Sequence, residues 1–191
     1  VEAAKSSPDT ILVLNADCQV TASIADLVTN QVVWFGVDAD VYDQGIADFD
    51  EVVECVECGG TLTFGHRTFA HLGDYTCPTC GRMRHKADIV CTAIGDADEK
   101  SCTLTLKING AEHKVSANVR AGYDVYNAVA AVAGLLTTGM DEEDVFKALG
   151  HFTHAAHRFE IFDIDGTETR LLLMKNTAGC NQLINMLQQE G

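Results

Sequence analysis

Two Cys-x-x-Cys pairs constrain this sequence most: Cys55-Val56-Glu57-Cys58-Gly59-Gly60 and Cys77-Pro78-Thr79-Cys80-Gly81, with eighteen residues between Cys58 and Cys77. That spacing is a tetrathiolate zinc signature. Each pair turns tightly enough to aim two sulfurs at one point. The glycine after the second cysteine lets the backbone turn so that its amides face the thiolates. Two such knuckles on a short hairpin complete a tetrahedron. The competing reading is a pair of disulfides or a redox dithiol, but a thioredoxin-type dithiol uses one Cys-x-x-Cys at a helix start. Four protein thiolates leave a metal no open position, so the expected role is structural. The metal would staple roughly thirty residues that could not fold alone.

The rest of the composition narrows the partners. A net charge of -15 argues against nucleic acid, because a polyanion would be repelled. The acidic residues Asp38, Asp40, Asp43, Asp48, Asp50, Glu51 and Glu54 are dispersed, as on a solvated face. Cys18, Cys91, Cys102 and Cys180 sit in apolar or strand-like contexts and read as buried thiols. This cysteine usage suits a reducing cytoplasm. No signal peptide and no apolar run of membrane-spanning length is visible. The chain opens on Val1 without a methionine and reads as a fragment.

Thr10 to Asn15 is a continuous apolar run ending in polar residues, the pattern of a buried parallel strand. Asn15-Ala16-Asp17 would then lie at its C-terminal end, where α/β sheets place ligand groups. A short helix is expected over Thr21–Val28, a strand over Gln31–Phe35, and an acidic connector over Gly36–Asp50. Thr61 to Phe64 alternates as a strand within the cysteine ribbon. Its neighbours His66, His71 and His85 fall outside a ligand set already filled by four thiolates. Further strands are expected over Asp88–Gly95 and Ser101–Ile108, with a hairpin turn at Asn109-Gly110. The ribbon thus reads as an insertion within one α/β domain.

Ala121 to Thr138 has the strongest helical periodicity, with Val125, Val129, Val132 and Leu136 on one face and Gly139 as its stop. A second helix is expected over Asp141–Leu149, and two strands over Phe159–Ile164 and Thr169–Met174 about a turn at Asp165-Gly166. A last helix is expected over Ala178–Gln189. His151, His154 and His157 suggest a metal cluster, but their spacing of three fits a loop or helix edge better.

Four blocks carry a family resemblance. They are Leu14-Asn15-Ala16-Asp17, the helix block Gly122-Tyr123-Asp124-Val125-Tyr126-Asn127-Ala128, Arg158-Phe159-Glu160, and Met174-Lys175-Asn176-Thr177-Ala178-Gly179-Cys180-Asn181. In order and spacing the first three resemble the Mur ligases; the fourth, like the tetracysteine insertion, resembles one branch of that family, where the other Mur ligases carry a different block. The tetracysteine insertion resembles the branch of that family that amidates lipid II.

The resemblance implies a partial Mur-ligase central domain over residues 1–170: a mostly parallel sheet flanked by helices, interrupted by a four-cysteine zinc ribbon over 52–86. Residues 171–191 would begin the C-terminal domain. It further implies ATP and Mg2+ as cofactors, with Asn127, Arg158 and Asn176 near the nucleotide. Asn127 matches the asparagine that contacts adenine, and Arg158 the arginine that reaches ribose and phosphates. The metal ligands are Cys55, Cys58, Cys77 and Cys80. The implied reaction activates the α-carboxylate of D-isoglutamate in the lipid II stem peptide as an acyl phosphate. Ammonia from a GatD-type glutaminase partner then gives D-isoglutamine.

The expected location is cytoplasmic, at the inner face of the membrane where lipid II lies. A Gly-x-x-Gly-Lys-Ser/Thr phosphate loop does not occur in the sequence. Asp124, Cys18, His157 and Thr177 depart from the family pattern. The catalytic residues are expected outside this chain, so the fragment should be inactive alone. No role is assigned to Asn15, Asp17 or Lys175. Two other readings stay open: a non-enzymatic module that docks proteins through its ribbon, and an amino-acid-adding Mur ligase.

Overall fold

A four-residue helix α1 (Glu2–Lys5) leads into strand β1 (Leu12–Asn15). The computed structural model describes residues 1–41, 53–97, 101–119, 122–152, 159–175, 179–181, 183–184 and 187. Strand β2 (Val32–Val37) lies parallel to β1, with Leu14 opposite Trp34. Next to β2, again parallel, runs β5 (Ile89–Ala97), with Val37 opposite Cys91. Strands β6 (Cys102–Ile108) and β7 (Ala111–Ala117) then add antiparallel, giving the order β1-β2-β5-β6-β7. The sheet is therefore mixed. The β6–β7 hairpin turns on Asn109 and Gly110, both at positive φ (50° and 92°), as a tight two-residue hairpin loop requires.

Between β2 and β5 in the chain, β3 (Thr63–Phe69) and β4 (Leu72–Thr76) form a separate antiparallel pair. It has its own small core of Cys55, Leu62, Tyr75 and Cys77. His85, near the end of this ribbon, stacks flat on Trp34 of β2, with ring centroids 4.1 Å apart and planes 6° from parallel.

Burial along β6 alternates strictly. Cys102, Leu104, Leu106 and Ile108 are buried, while Lys107 is exposed. Helices α3 (Gly122–Thr137) and α4 (Glu142–His151) cover that apolar face. Val125, Val129 and Val132 of α3 are at most 1% exposed, as the helical spacing predicts. Gly139 ends the segment at φ 85°, and Asp141 caps α4 by accepting from the Glu143 amide. The last described strands are β8 (Phe159–Ile164) and β9 (Thr167–Leu172), paired about Asp165-Gly166.

Three expectations change in detail. The helix expected over Thr21–Val28 is a single turn, α2 (Gln19–Ala22), followed by a 3-10 turn at Ala25–Leu27. A segment this short is held only by packing, and within α2 only Gln19 and Ala22 are buried. Strand β2 extends to Val37, two residues into the expected connector. Strand β9 begins at Thr167 because the tight turn sets Ile164 opposite it. The remainder of the acidic connector, from residue 42, lies outside the described residues, as does half of the expected last helix; its described residues, Gly179, Cys180, Asn181, Leu183, Ile184 and Leu187, are helical.

Candidate functional site

The two knuckles are built alike. In the first, the Gly59 amide donates to the Cys55 carbonyl (2.9 Å) and the Cys55 amide to the Gly60 carbonyl (2.7 Å). In the second, the Gly81 amide donates to the Cys77 carbonyl (2.9 Å) and the Cys77 amide to the Arg82 carbonyl (2.7 Å). Gly59 and Gly81 take φ of 72° and 78°, a left-handed conformation that costs glycine little. All four sulfurs lie within 4.8 Å of one another, and none is in a disulfide. The Cys55–Cys80 and Cys58–Cys77 sulfur separations are 3.7 and 3.6 Å. A zinc tetrahedron with bonds of about 2.3 Å has edges of about 3.8 Å, so the four sulfurs fit that geometry. Backbone N–H groups of Cys80 and Thr79 face the Cys77 thiol and help hold its pKa down at about 6, favouring the thiolate that binds metal.

The ribbon is fastened to the end of β1. Gln19, only 3% exposed, donates from Nε2 to the Glu54 carbonyl (2.6 Å) and accepts from the Val56 amide (3.0 Å), acting as a surrogate backbone for the first knuckle. Arg82 beside the second knuckle pairs with Asp26 at 2.7 Å. Arg84 reaches further. Its Nε donates to Asp17 Oδ1 and its Nη1 to Asp38 Oδ1, both at 2.6 Å.

Asp17 is fully buried, and its other oxygen accepts from the Val37 amide (2.8 Å) and the Tyr126 hydroxyl (2.6 Å). Burial pushes the Asp17 carboxyl upward, against the pull of Arg84. Burial disfavours the Arg84 charge, yet Asp17 and Asp38 together raise its pKa. Asn15 serves locally: its Oδ1 accepts from the Asp17 amide (2.9 Å) and shapes the turn.

Asn127, on the exposed side of α3, lines a cavity of about 460 Å³ between α3, α4 and the residues that follow β7. Its walls are mainly apolar, including Val119, Ala131, Leu135, Val145 and Phe152. Asn118 and Asp124 add polar groups beside Asn127. This is the size and character of a small-molecule pocket. Strand β7 runs parallel to β1, β2 and β5 in direction, so Asn118 and Val119 in the cavity wall lie at the edge where those strands end.

The structure thus gathers the four cysteines and sets Asn127 in a pocket. Arg158 and Asn176 lie outside the described residues, as do His154 and His157. Lys175 is exposed. The remaining histidines have other neighbours: His66 bonds Asp40 (3.0 Å), His71 meets Cys18 (3.5 Å), and His151 meets the Lys147 carbonyl (2.7 Å). Arg84, Asp38 and Gln19 carry no sequence signal for these contacts. Tyr126 lies in a recognisable block that gives it no role.

This architecture recurs among solved ligases. A pseudomurein peptide ligase type C from Methanothermus fervidus superposes with a TM-score of 0.74 and 26% identity, over 94% of this chain and 35% of that one. MurF from Acinetobacter baumannii superposes at 0.61 with 16% identity, over 96% and 30%, a likeness of fold alone. In fold and sequence this chain is similar to the Mur ligase family.

Within that family it is similar to the MurT subunit of lipid II isoglutaminyl synthase (glutamine-hydrolyzing). The Streptococcus pneumoniae protein is 28% identical over 189 residues, which is 98% of this chain and 41% of the relative. The Staphylococcus aureus protein is 25% identical over 178 residues, 93% and 39% respectively. The chain therefore spans about two fifths of the length of these relatives. No family model matches it. Among the described residues no helix is long and apolar enough to cross a membrane.

Proposed function

We propose that this chain is the nucleotide-handling part of an amidoligase subunit. The full protein would use ATP and Mg2+ to convert the α-carboxylate of D-isoglutamate in the lipid II stem peptide to an acyl phosphate. Ammonia from a glutaminase subunit would displace the phosphate and leave D-isoglutamine. A carboxylate is a poor electrophile, and phosphorylation gives it a leaving group. Ammonium at neutral pH has no free lone pair, so the ammonia must be released close to the acyl phosphate.

One observation carries this reading: similarity to MurT runs through 98% of the chain, ribbon included. The Asn127 cavity supports it, because an amide can both donate to and accept from the edge of adenine while apolar walls hold the ring faces. In this reading residues 1–170 belong to the central domain, interrupted by the ribbon over 52–86, and residues 171–191 begin the next domain. Arg158 and Asn176 would contact the nucleotide. Cys55, Cys58, Cys77 and Cys80 would hold a structural zinc, which supplies folding energy and no catalytic step. The protein would work in the cytoplasm, at the membrane face that presents lipid II.

The test is amidation. Full-length protein, a GatD-type glutaminase, ATP, glutamine and a muropeptide should yield a product lighter by the mass difference between a carboxyl and an amide. Folded, zinc-loaded protein that hydrolyses ATP yet amidates nothing would sink the reading. The similarity to a pseudomurein peptide ligase supports a second reading, in which an amino acid rather than ammonia is the acceptor. Product formation that requires a free amino acid and no glutaminase would select it.

A further inference from the structure

The ribbon and the Asn127 cavity lie on different elements, yet one run of buried contacts joins them. The backbone of Arg84 is tied to the ribbon, its amide donating to the Tyr75 carbonyl (3.0 Å). Its side chain, 13% exposed, leaves the ribbon and meets Asp17 at the end of β1. Asp17 in turn accepts from Tyr126, which precedes Asn127 on α3 and is 6% exposed. Gly36 of β2 clears the path: a Cβ there would stand 2.5 Å from Arg84 Nη2 and 2.6 Å from Asp17 Oδ1. Any larger residue must displace the Arg84–Asp17 contact.

We infer that Arg84 is a positioning residue: when the metal orders the ribbon, Arg84 fixes the first turns of α3, and Asn127 with them, through Asp17 and Tyr126. A buried carboxylate deprived of its guanidinium must move or find another partner. Tyr126 would follow its acceptor. The middle of α3 would not, because Val129 and Val132 are held by the apolar core. The effect is therefore local to residues 122–128. Its consequence for nucleotide affinity rests on the function proposed above; the coupling itself does not.

Amide hydrogen exchange tests it on the full-length protein, with zinc bound and after chelation. In the wild type, chelation should speed exchange over residues 122–128 by at least about tenfold, the scale of ordinary coupling between sites, and leave 129–137 nearly unchanged. Arg84→Gln should keep its zinc, exchange fast over 122–128 from the outset, and no longer respond to chelation. Gly36→Ala should do the same with both charges retained. Titrating an ATP analogue into zinc-loaded protein should show affinity about tenfold weaker in both variants. Wild-type protein whose residues 122–128 ignore the loss of zinc overturns the inference, whether or not either variant folds. So does an Arg84→Gln protein that still responds. Zinc-coupled exchange without nucleotide binding would instead remove the proposed function and leave the coupling standing.

Discussion

Tyr126 donates its hydroxyl hydrogen to Asp17 across 2.6 Å, although 109 positions separate the two residues in the chain. The bond joins the start of α3 to the end of β1 in a buried setting, where a hydrogen bond to a charged group contributes about 1.5–3 kcal/mol. Tyr126→Phe should lower stability by that amount and leave the denaturant m-value unchanged. Equilibrium urea unfolding measures both. The Thr68 hydroxyl, 3.0 Å from the Tyr126 oxygen, contributes a smaller neutral bond, so Thr68→Val should cost less than Tyr126→Phe.

Removing the metal should unfold the ribbon and spare the larger core. The ribbon buries few side chains of its own, whereas the sheet and α3 share an extended apolar cluster. Freshly purified, reduced protein should contain one zinc per chain by elemental analysis. Chelation should collapse the amide dispersion of residues 53–84 in a heteronuclear spectrum while leaving β6 and β7 intact. Gly59→Ala and Gly81→Ala should each cost about 1 kcal/mol, because alanine is strained at positive φ.

Cys18 should give the protein a pH dependence near neutrality. Burial alone raises its pKa, but hydrogen bonding with His71 and Thr21 outweighs burial and lowers the thiol from 9.0 to about 7. Between those values the unfolded chain holds a proton that the folded chain does not, so stability rises with pH. The contribution is complete above the unfolded value and is lost as pH falls through about 7. A gain of about 1–2 kcal/mol from neutral to mildly alkaline pH is expected. Urea midpoints across that range should show the slope, and Cys18→Ser or His71→Gln should flatten it.

Asn127 should matter for binding and not for folding. Its exposed side chain lines the cavity. Losing an edge hydrogen bond of about 1–1.5 kcal/mol would weaken nucleotide binding about tenfold. Calorimetric titration of Asn127→Ala, alongside a melting curve that stays put, is the expected pair of results. A shifted melting curve with unchanged affinity would return Asn127 to a purely structural role.

Much of this is legible in local pattern. β1 announces itself as an apolar run, α3 by its valine spacing, the β6–β7 turn by Asn109-Gly110, and the knuckles by cysteine spacing. Each is a rule about residues a few positions apart. Arg84 and Asp17 are 67 positions apart and obey no such rule, so their pairing is invisible in the sequence. Asp17 can be placed at the sheet edge but not given a partner. Gly36 is the one clue that local pattern does hold. The acidic run after it suggests a connector, whereas Gly36 lies inside β2, where a glycine often marks another group passing close by. Here that group is Arg84.

Trp34 is the only tryptophan in this chain, and its ring lies flat against His85. Its fluorescence therefore works as a built-in gauge, because lifting the ribbon and its imidazole off β2 should change the intensity. The seating of the ribbon can thus be followed in real time, in dilute solution, without attaching a dye.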